Sequence, residues 1–185
     1  MSTPVTQEVF SRYLDPAFRY VRTQTPARVR SRDDALRDGL NCVALAHLVL
    51  RDLFGYALPD QLQAVELTRD TEHFEPVPDP EHMQAGDLIW LGVDHPRLHL
   101  DEFVPQYDGR ELVNFRDFPV KHVAICTGAR DDGDHLLLHA SFADGTNALW
   151  PLRKFAGYDR YGRIYAIRRL RPEFRRPAGT SGGVR

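Results

Sequence analysis

Between positions 41 and 54 the apolar residues Val43, Leu45, Ala46, Leu48, Val49, Leu50, Leu53 and Phe54 cover most of a helical circumference. That distribution predicts a helix buried on nearly every side. Asn41 stands where an N-cap is needed, and Gly55 where a helix ends in a left-handed residue. Cys42 therefore falls in the first turn. Upstream, residues 6–22 mix Val9, Phe10, Tyr13, Leu14, Phe18, Tyr20 and Val21 with charges. They predict one helix or two short turns, interrupted at Pro16. Residues 24–33 read as a loop. Residues 56–80 read as loop with a short helical or extended piece at 62–67, closed by Pro76, Pro78 and Pro80.

Beyond that point the period shortens to two. Strands are predicted at 87–92, 120–127, 135–140, 147–150 and 164–167, with Asp132-Gly133 as a hairpin turn between the second and third. Helices first and antiparallel strands after make an α+β protein, with N-terminal helices packed on an antiparallel sheet. The expected organisation is a single domain over 1–171, with a long insertion at 93–119 and a mobile tail at 172–185.

A chain of 185 residues is long enough for one hydrophobic core. Its formal net charge of −2 gives no global electrostatic case for a nucleic-acid partner. Arg163, Arg168, Arg169, Arg171, Arg175 and Arg176 are expected on a solvated face and tail. Cys42 and Cys126 are the only cysteines, too few for a disulfide framework. The first residues lack the basic-then-apolar pattern of a signal peptide, and no apolar run is long enough to span a membrane. The expectation is a cytoplasmic protein with reduced thiols and no membrane partner, with leaderless export left open.

Cys42 is the first chemical candidate. The unpaired N–H groups and dipole of a helix start lower a thiol pKa, and the same N–H groups can stabilise an oxyanion. The competing reading is a buried structural cysteine. His122 opens an otherwise apolar strand and could take and return a proton near neutral pH, or simply cap a strand end. His139 closes the next strand. Symmetric pairing about Asp132-Gly133 sets His122 opposite a residue near 142, so a bulge or shifted turn could bring the two rings together. One ring could then orient the other, as the third member of a triad does.

Four segments occur in order: Asn41-Cys42-Val43-Ala44-Leu45, Gly86-Asp87-Leu88-Ile89-Trp90, His122-Val123-Ala124-Ile125-Cys126-Thr127-Gly128 and Leu138-His139-Ala140-Ser141. Together they resemble the NlpC/P60 family of papain-like cysteine peptidases over about residues 38–170. The resemblance implies Cys42 as nucleophile, His122 as base and His139 as the residue that orients it. It implies cleavage of amide bonds in peptidoglycan stem peptides, often the D-γ-glutamyl-to-diamino-acid bond, with no cofactor. The partner would be a small peptide or cell-wall fragment. The chain departs from the pattern in four places. Asn41 replaces an aspartate, and Val43-Ala44 replaces Ser-Gly. The upstream stretch lacks the family's tyrosine, Tyr20 being the nearest and distant in sequence. The 93–119 connection is long.

Other candidates read as structural. Pro96 interrupts the His95/His99 spacing, and no recognisable metal motif is present, so no metal is expected. His47 reads as a hydrogen-bonded core histidine, Cys126 as packed and inert, and Asp87 as a turn or strand cap. Trp90 and Trp150 read as core, and Gly128, Gly133 and Gly145 as turn residues. The predicted reaction is amide hydrolysis through a thioester on Cys42. The alternatives are an acyltransferase or deamidase on the same thiol, or a non-catalytic binding module that kept the fold.

Overall fold

The computed structural model describes residues 7–95, 97–109 and 111–175. Its helices are α1 (Gln7–Ser11), α2 (Arg32–Asp38), α3 (Cys42–Phe54), α4 (Ala64–Arg69) and α5 (Leu152–Ala156). Its strands are β1 (Phe74–Pro76), β2 (Leu88–Gly92), β3 (Tyr107–Asp108), β4 (Glu111–Leu112), β5 (Val120–Asp131), β6 (Asp134–Ala140), β7 (Asn147–Pro151) and β8 (Arg163–Leu170). α3 forms where its pattern predicts. Asn41 Oδ1 accepts the Ala44 N–H at 2.9 Å, and Gly55 ends the helix in the left-handed region at φ 61°.

The six-stranded sheet has the order β1-β8-β2-β5-β6-β7, with every neighbouring pair antiparallel. The two-residue period sorts its side chains. Leu88, Trp90, Val123, Ile125 and Leu138 join the core built around α3. Ile89, Leu91, Ala124, Cys126 and Leu137 lie in a second cluster with Trp150, Phe155 and Ile167. Because β2 is buried on both faces it reads as continuously apolar rather than alternating. The chain is therefore an α+β protein with helical layers on an antiparallel sheet. No helix among the described residues is long and apolar enough to cross a membrane.

Several elements differ from the sequence expectation. α2 begins inside the expected 24–33 loop, because Ser31 caps it by accepting the Asp34 N–H. α4 realises the short piece expected near 62–67. β1 forms in the expected 56–80 loop by pairing Phe74 with Leu170 at a sheet edge, where Pro76 can be tolerated. The start of the predicted tail is packed: Pro172–Phe174 forms a helical turn, and the Phe174 ring lies 4.9 Å from His73 and 5.2 Å from Tyr56. Residues 176–185, with Arg176, lie outside the described residues. The C-terminal arginines do not simply form a solvated face. Arg169 donates to both Asp87 oxygens at 2.9 and 2.7 Å, and Arg171 and Arg175 donate to the carbonyls of Thr71 and Leu170. Asp87, 1% exposed, also accepts the Gln84 N–H, so it fixes the turn before β2 as predicted.

The β5–β6 hairpin turns through Asp132 (φ 48°) and Gly133 (φ 80°), the two positive φ values a type I′ turn requires. Asp131 pairs with Asp134 and Arg130 with His135, yet further on Cys126 pairs with Leu137 and Ile125 with Leu138. Residues 127–129 of β5 thus stand opposite Leu136 alone, with Gly128 at φ 78° in the bulge.

His47 is fully buried in α3, and its Nε2–H donates to the Leu62 carbonyl at 2.9 Å. Burial lowers its pKa to about 4. The unfolded chain therefore takes up a proton near pH 6.5 that the folded chain refuses, so this residue makes stability fall as pH drops from about 6.5 toward 4. In urea titrations across that window, His47→Leu should flatten the pH slope by up to about 1.4 kcal/mol per pH unit. An unchanged slope would contradict the assignment.

Candidate active site

Cys42 opens α3 and remains half-buried at the floor of a cavity of about 690 Å³. Of the first-turn N–H groups, that of Ala44 goes to Asn41 Oδ1 and that of Leu45 to the Asn41 carbonyl. Those of Cys42 and Val43 are directed at the Cys42 sulfur, and so is the N–H of Val123 in β5. The sulfur is thereby tied to the strand position immediately after His122. His122 lines the same cavity.

His122 and His139 are brought together by the β5–β6 bulge. Continuing the register past Ile125–Leu138 sets His122 opposite residue 141, so His139 is its diagonal neighbour on the same face. The rings meet edge to face at 89°, with His122 Nε2 3.0 Å from His139 Nδ1. Both residues are buried, at 5% and 1% exposure. His139 packs among Trp150 (4.5 Å) and Phe155 (4.8 Å), both T-shaped to it, and its Nε2 has no polar partner. An N–H against an aromatic face is favourable, whereas a lone pair there is not. This favours His139 carrying its proton on Nε2 and accepting the Nε2–H of His122 at Nδ1. In that tautomer His122 Nδ1 is left as a base.

Sequence reasoning missed the residues that complete the surroundings. Tyr20 is distant from Cys42 in sequence but lines the cavity beside it. It is carried there by a parallel bridge to Leu40, in which Val21 N–H donates to the Leu40 carbonyl and Leu40 N–H to the Arg19 carbonyl. Asn41 reinforces this, because its Nδ2 donates to the carbonyls of Arg22 (3.2 Å) and Gln24 (2.6 Å). An aspartate could not make those two bonds. Asn41 thus links the start of α3 to the segment that carries Tyr20 into the cavity. Beyond α5, the Tyr161 ring lies 4.9 Å from His122 and Arg160 reaches the cavity. Only the aromatic and basic content of the 157–162 turn could have signalled them.

The 93–119 insertion supplies a wall of the cavity through Tyr107, Leu112, Val113, Phe115 and Arg116. Lys121 holds that wall. It is the extra residue of a bulge, since Leu91 pairs with His122 and Gly92 with Val120. Its Nζ donates to the carbonyls of Phe115 and Arg116 at 3.0 Å each, and to that of Phe118. Burial and the nearby Arg160 lower its pKa to about 8.

Electrostatics favour neutral groups in this site. Burial raises the Cys42 thiol above its ordinary value of 9.0, against the pull of the three N–H groups and Arg160. A helix start alone would lower the thiol; desolvation outweighs it here. Burial, then His139 and Arg160, hold His122 well below 6.5, and burial lowers His139 to about 3. Burial likewise raises the Tyr20 hydroxyl to about 12. The thiol and the imidazole that line this cavity thus rest in their neutral forms. Cys126, fully buried with its sulfur 3.6 Å from His135 Nδ1, belongs to the second core cluster and lies away from this cavity.

No protein-family model matches the chain, and no curated protein matches it.

Two outcomes follow from this geometry. Asn41→Asp should cost about 1–3 kcal/mol in urea unfolding, because two carbonyls lose their donor and face a carboxylate. A variant as stable as the parent would refute the staple. Alkylation of Cys42 by iodoacetamide should accelerate as pH rises through 9, since the thiol, not an ion pair, is the resting form; a rate already at its plateau near neutral pH would contradict this.

Proposed function

We propose that the protein is a cysteine hydrolase that cleaves an amide bond through a thioester on Cys42. The observation that carries this reading is the 3.0 Å contact between His122 Nε2 and His139 Nδ1; with the tautomer favoured above, His122 lines the cavity that also holds Cys42 with its Nδ1 free as a base. In the proposed reaction the Cys42 sulfur attacks the carbonyl carbon as its proton passes to His122. The imidazolium then protonates the leaving amine as the C–N bond breaks. Water attacks the thioester, giving a proton to His122, and the carboxylic acid leaves as the thiol regains its proton. The Cys42 and Val43 N–H groups, directed at this end of the helix, supply the donors for the oxyanion. His139 acts by holding the His122 tautomer.

The resemblance to NlpC/P60 peptidases points to a peptidoglycan-derived stem peptide, cut at a D-γ-glutamyl-to-diamino-acid bond. A cavity of about 690 Å³ suits a short peptide fragment. The cytoplasm is the proposed location, where such fragments would be handled during recycling.

The test is release of a new amine from short peptides containing that bond, followed by mass spectrometry. Cys42→Ala and His122→Ala should each lower kcat/KM by at least about a thousandfold, and His139→Ala by about ten- to a hundredfold. Because His122 is held below 6.5, the acid limb of kcat/KM should lie below pH 6.5. Turnover that persists in Cys42→Ala would end the reading. Amine-capped product in place of free acid, when amines are added, would make the protein an acyltransferase.

A further inference from the structure

Several arginines of this protein pair with aspartates: Arg12 with Asp52, Arg30 with Asp60, Arg32 with Asp15, Arg37 with Asp34, Arg153 with Asp131 and Arg169 with Asp87. The arginines lining the Cys42 cavity are not among them. Arg22, Arg116 and Arg160 are exposed at its walls, and among the described residues none of them makes an ion pair with a carboxylate. Lys121 adds a fourth positive charge, already engaged by carbonyls of the insertion. Glu66 is the one acid on the lining among the described residues. One of its oxygens is taken by the Tyr107 hydroxyl. Glu66 also lines a neighbouring cavity that does not include Cys42, and among the described residues the lining of the Cys42 cavity carries more cations than acids.

Arg160 lines the cavity with Cys42 and His122. Its charge is felt at Cys42, His122, Tyr20 and Tyr161, and the charge of Arg22 reaches the same Tyr20 hydroxyl. A guanidinium that meets no carboxylate among the described residues, on the lining of the cavity that holds the thiol, is matched to a planar anion that it can bind through two N–H groups. It also disfavours a protonated His122, a cost that a bound carboxylate would remove.

We propose that Arg160, assisted by Arg22, binds a carboxylate of the substrate beside the reacting carbonyl, so that the protein acts on anionic acyl compounds. This deepens the hydrolase reading and rests on Cys42 being its reactive centre, but turnover is not needed to test it. Iodoacetate and iodoacetamide deliver the same alkyl group with and without a carboxylate. Their rates at Cys42 would be compared in the intact protein at one alkaline pH, with the label located by peptide mass spectrometry to separate Cys42 from Cys126.

Iodoacetate should modify Cys42 faster than iodoacetamide, the reverse of its order with a model thiol. The ratio should fall about tenfold in Arg160→Gln and less in Arg22→Gln, recover partly in Arg160→Lys, and shrink with added salt. A parent protein that prefers iodoacetamide would overturn the proposal. So would an Arg160→Gln variant in which both rates fall equally, since Arg160 would then act on the thiol and not on a carboxylate. Circular dichroism of each variant guards against misfolding, and Arg22→Gln provides an independent reading on a different segment. If iodoacetate preference holds while no Cys42-dependent turnover is found, the hydrolase reading fails and the anion site stands.

Discussion

The register shift between β5 and β6 is the constraint on which the candidate site depends. A type I′ turn at Asp132-Gly133 by itself fixes a register that leaves His122 and His139 too far apart along the strands. Two extra residues in β5, accommodated around Gly128 at φ 78°, slide the pairing until the histidines become diagonal neighbours on one face. Thr127 secures the bulge by donating its hydroxyl to the Leu136 carbonyl at 2.8 Å and accepting the Ala129 N–H. The approach of the two imidazoles inherits its geometry from that adjustment. The Val123 N–H reaches the Cys42 sulfur from the same strand that presents His122.

A second dependence runs through Asn41. One amide side chain caps α3 with its oxygen and holds the 22–24 backbone with its nitrogen. The cap and the staple together place Cys42, Tyr20 and the segment bearing Arg22 around one cavity. Folding energy and site geometry are therefore coupled at a single residue. Lys121 performs a similar office for the insertion, converting what sequence shows as a long connection into a wall of the cavity.

The electrostatic character of the site follows from burial more than from any single charge. The thiol and both imidazoles are pushed toward their neutral forms. In the proposed reaction such a pair would exchange a proton internally as the sulfur attacks, with no need of a standing thiolate. Arg160 lies close enough to oppose a protonated His122, and an anionic substrate would relieve that opposition.

Sequence alone determined the elements whose signals are local. The buried helix with Asn41 and Gly55 at its ends, the hairpin at Asp132-Gly133, the α+β order, and Cys42, His122 and His139 as the residues of interest were all legible, because caps, turns and periodicity act over a few residues. Short elements escaped. α2 and α5 carry too little periodicity, and β1 exists only because β8 offers an edge to pair with. The solvated role expected for the C-terminal arginines failed at Arg169, because a buried Asp87, in the turn before β2 and far away in sequence, claims it. Tyr20, Tyr161, Arg22 and Arg160 were invisible as site residues, since nothing near them in sequence carries chemistry. Only the tertiary structure decided that Tyr20, Arg22 and Arg160 line one cavity with Cys42 and that Tyr161 packs on His122. It also decided the protonation of the pair, because desolvation depends on which side chains surround a group and not on which ones precede it.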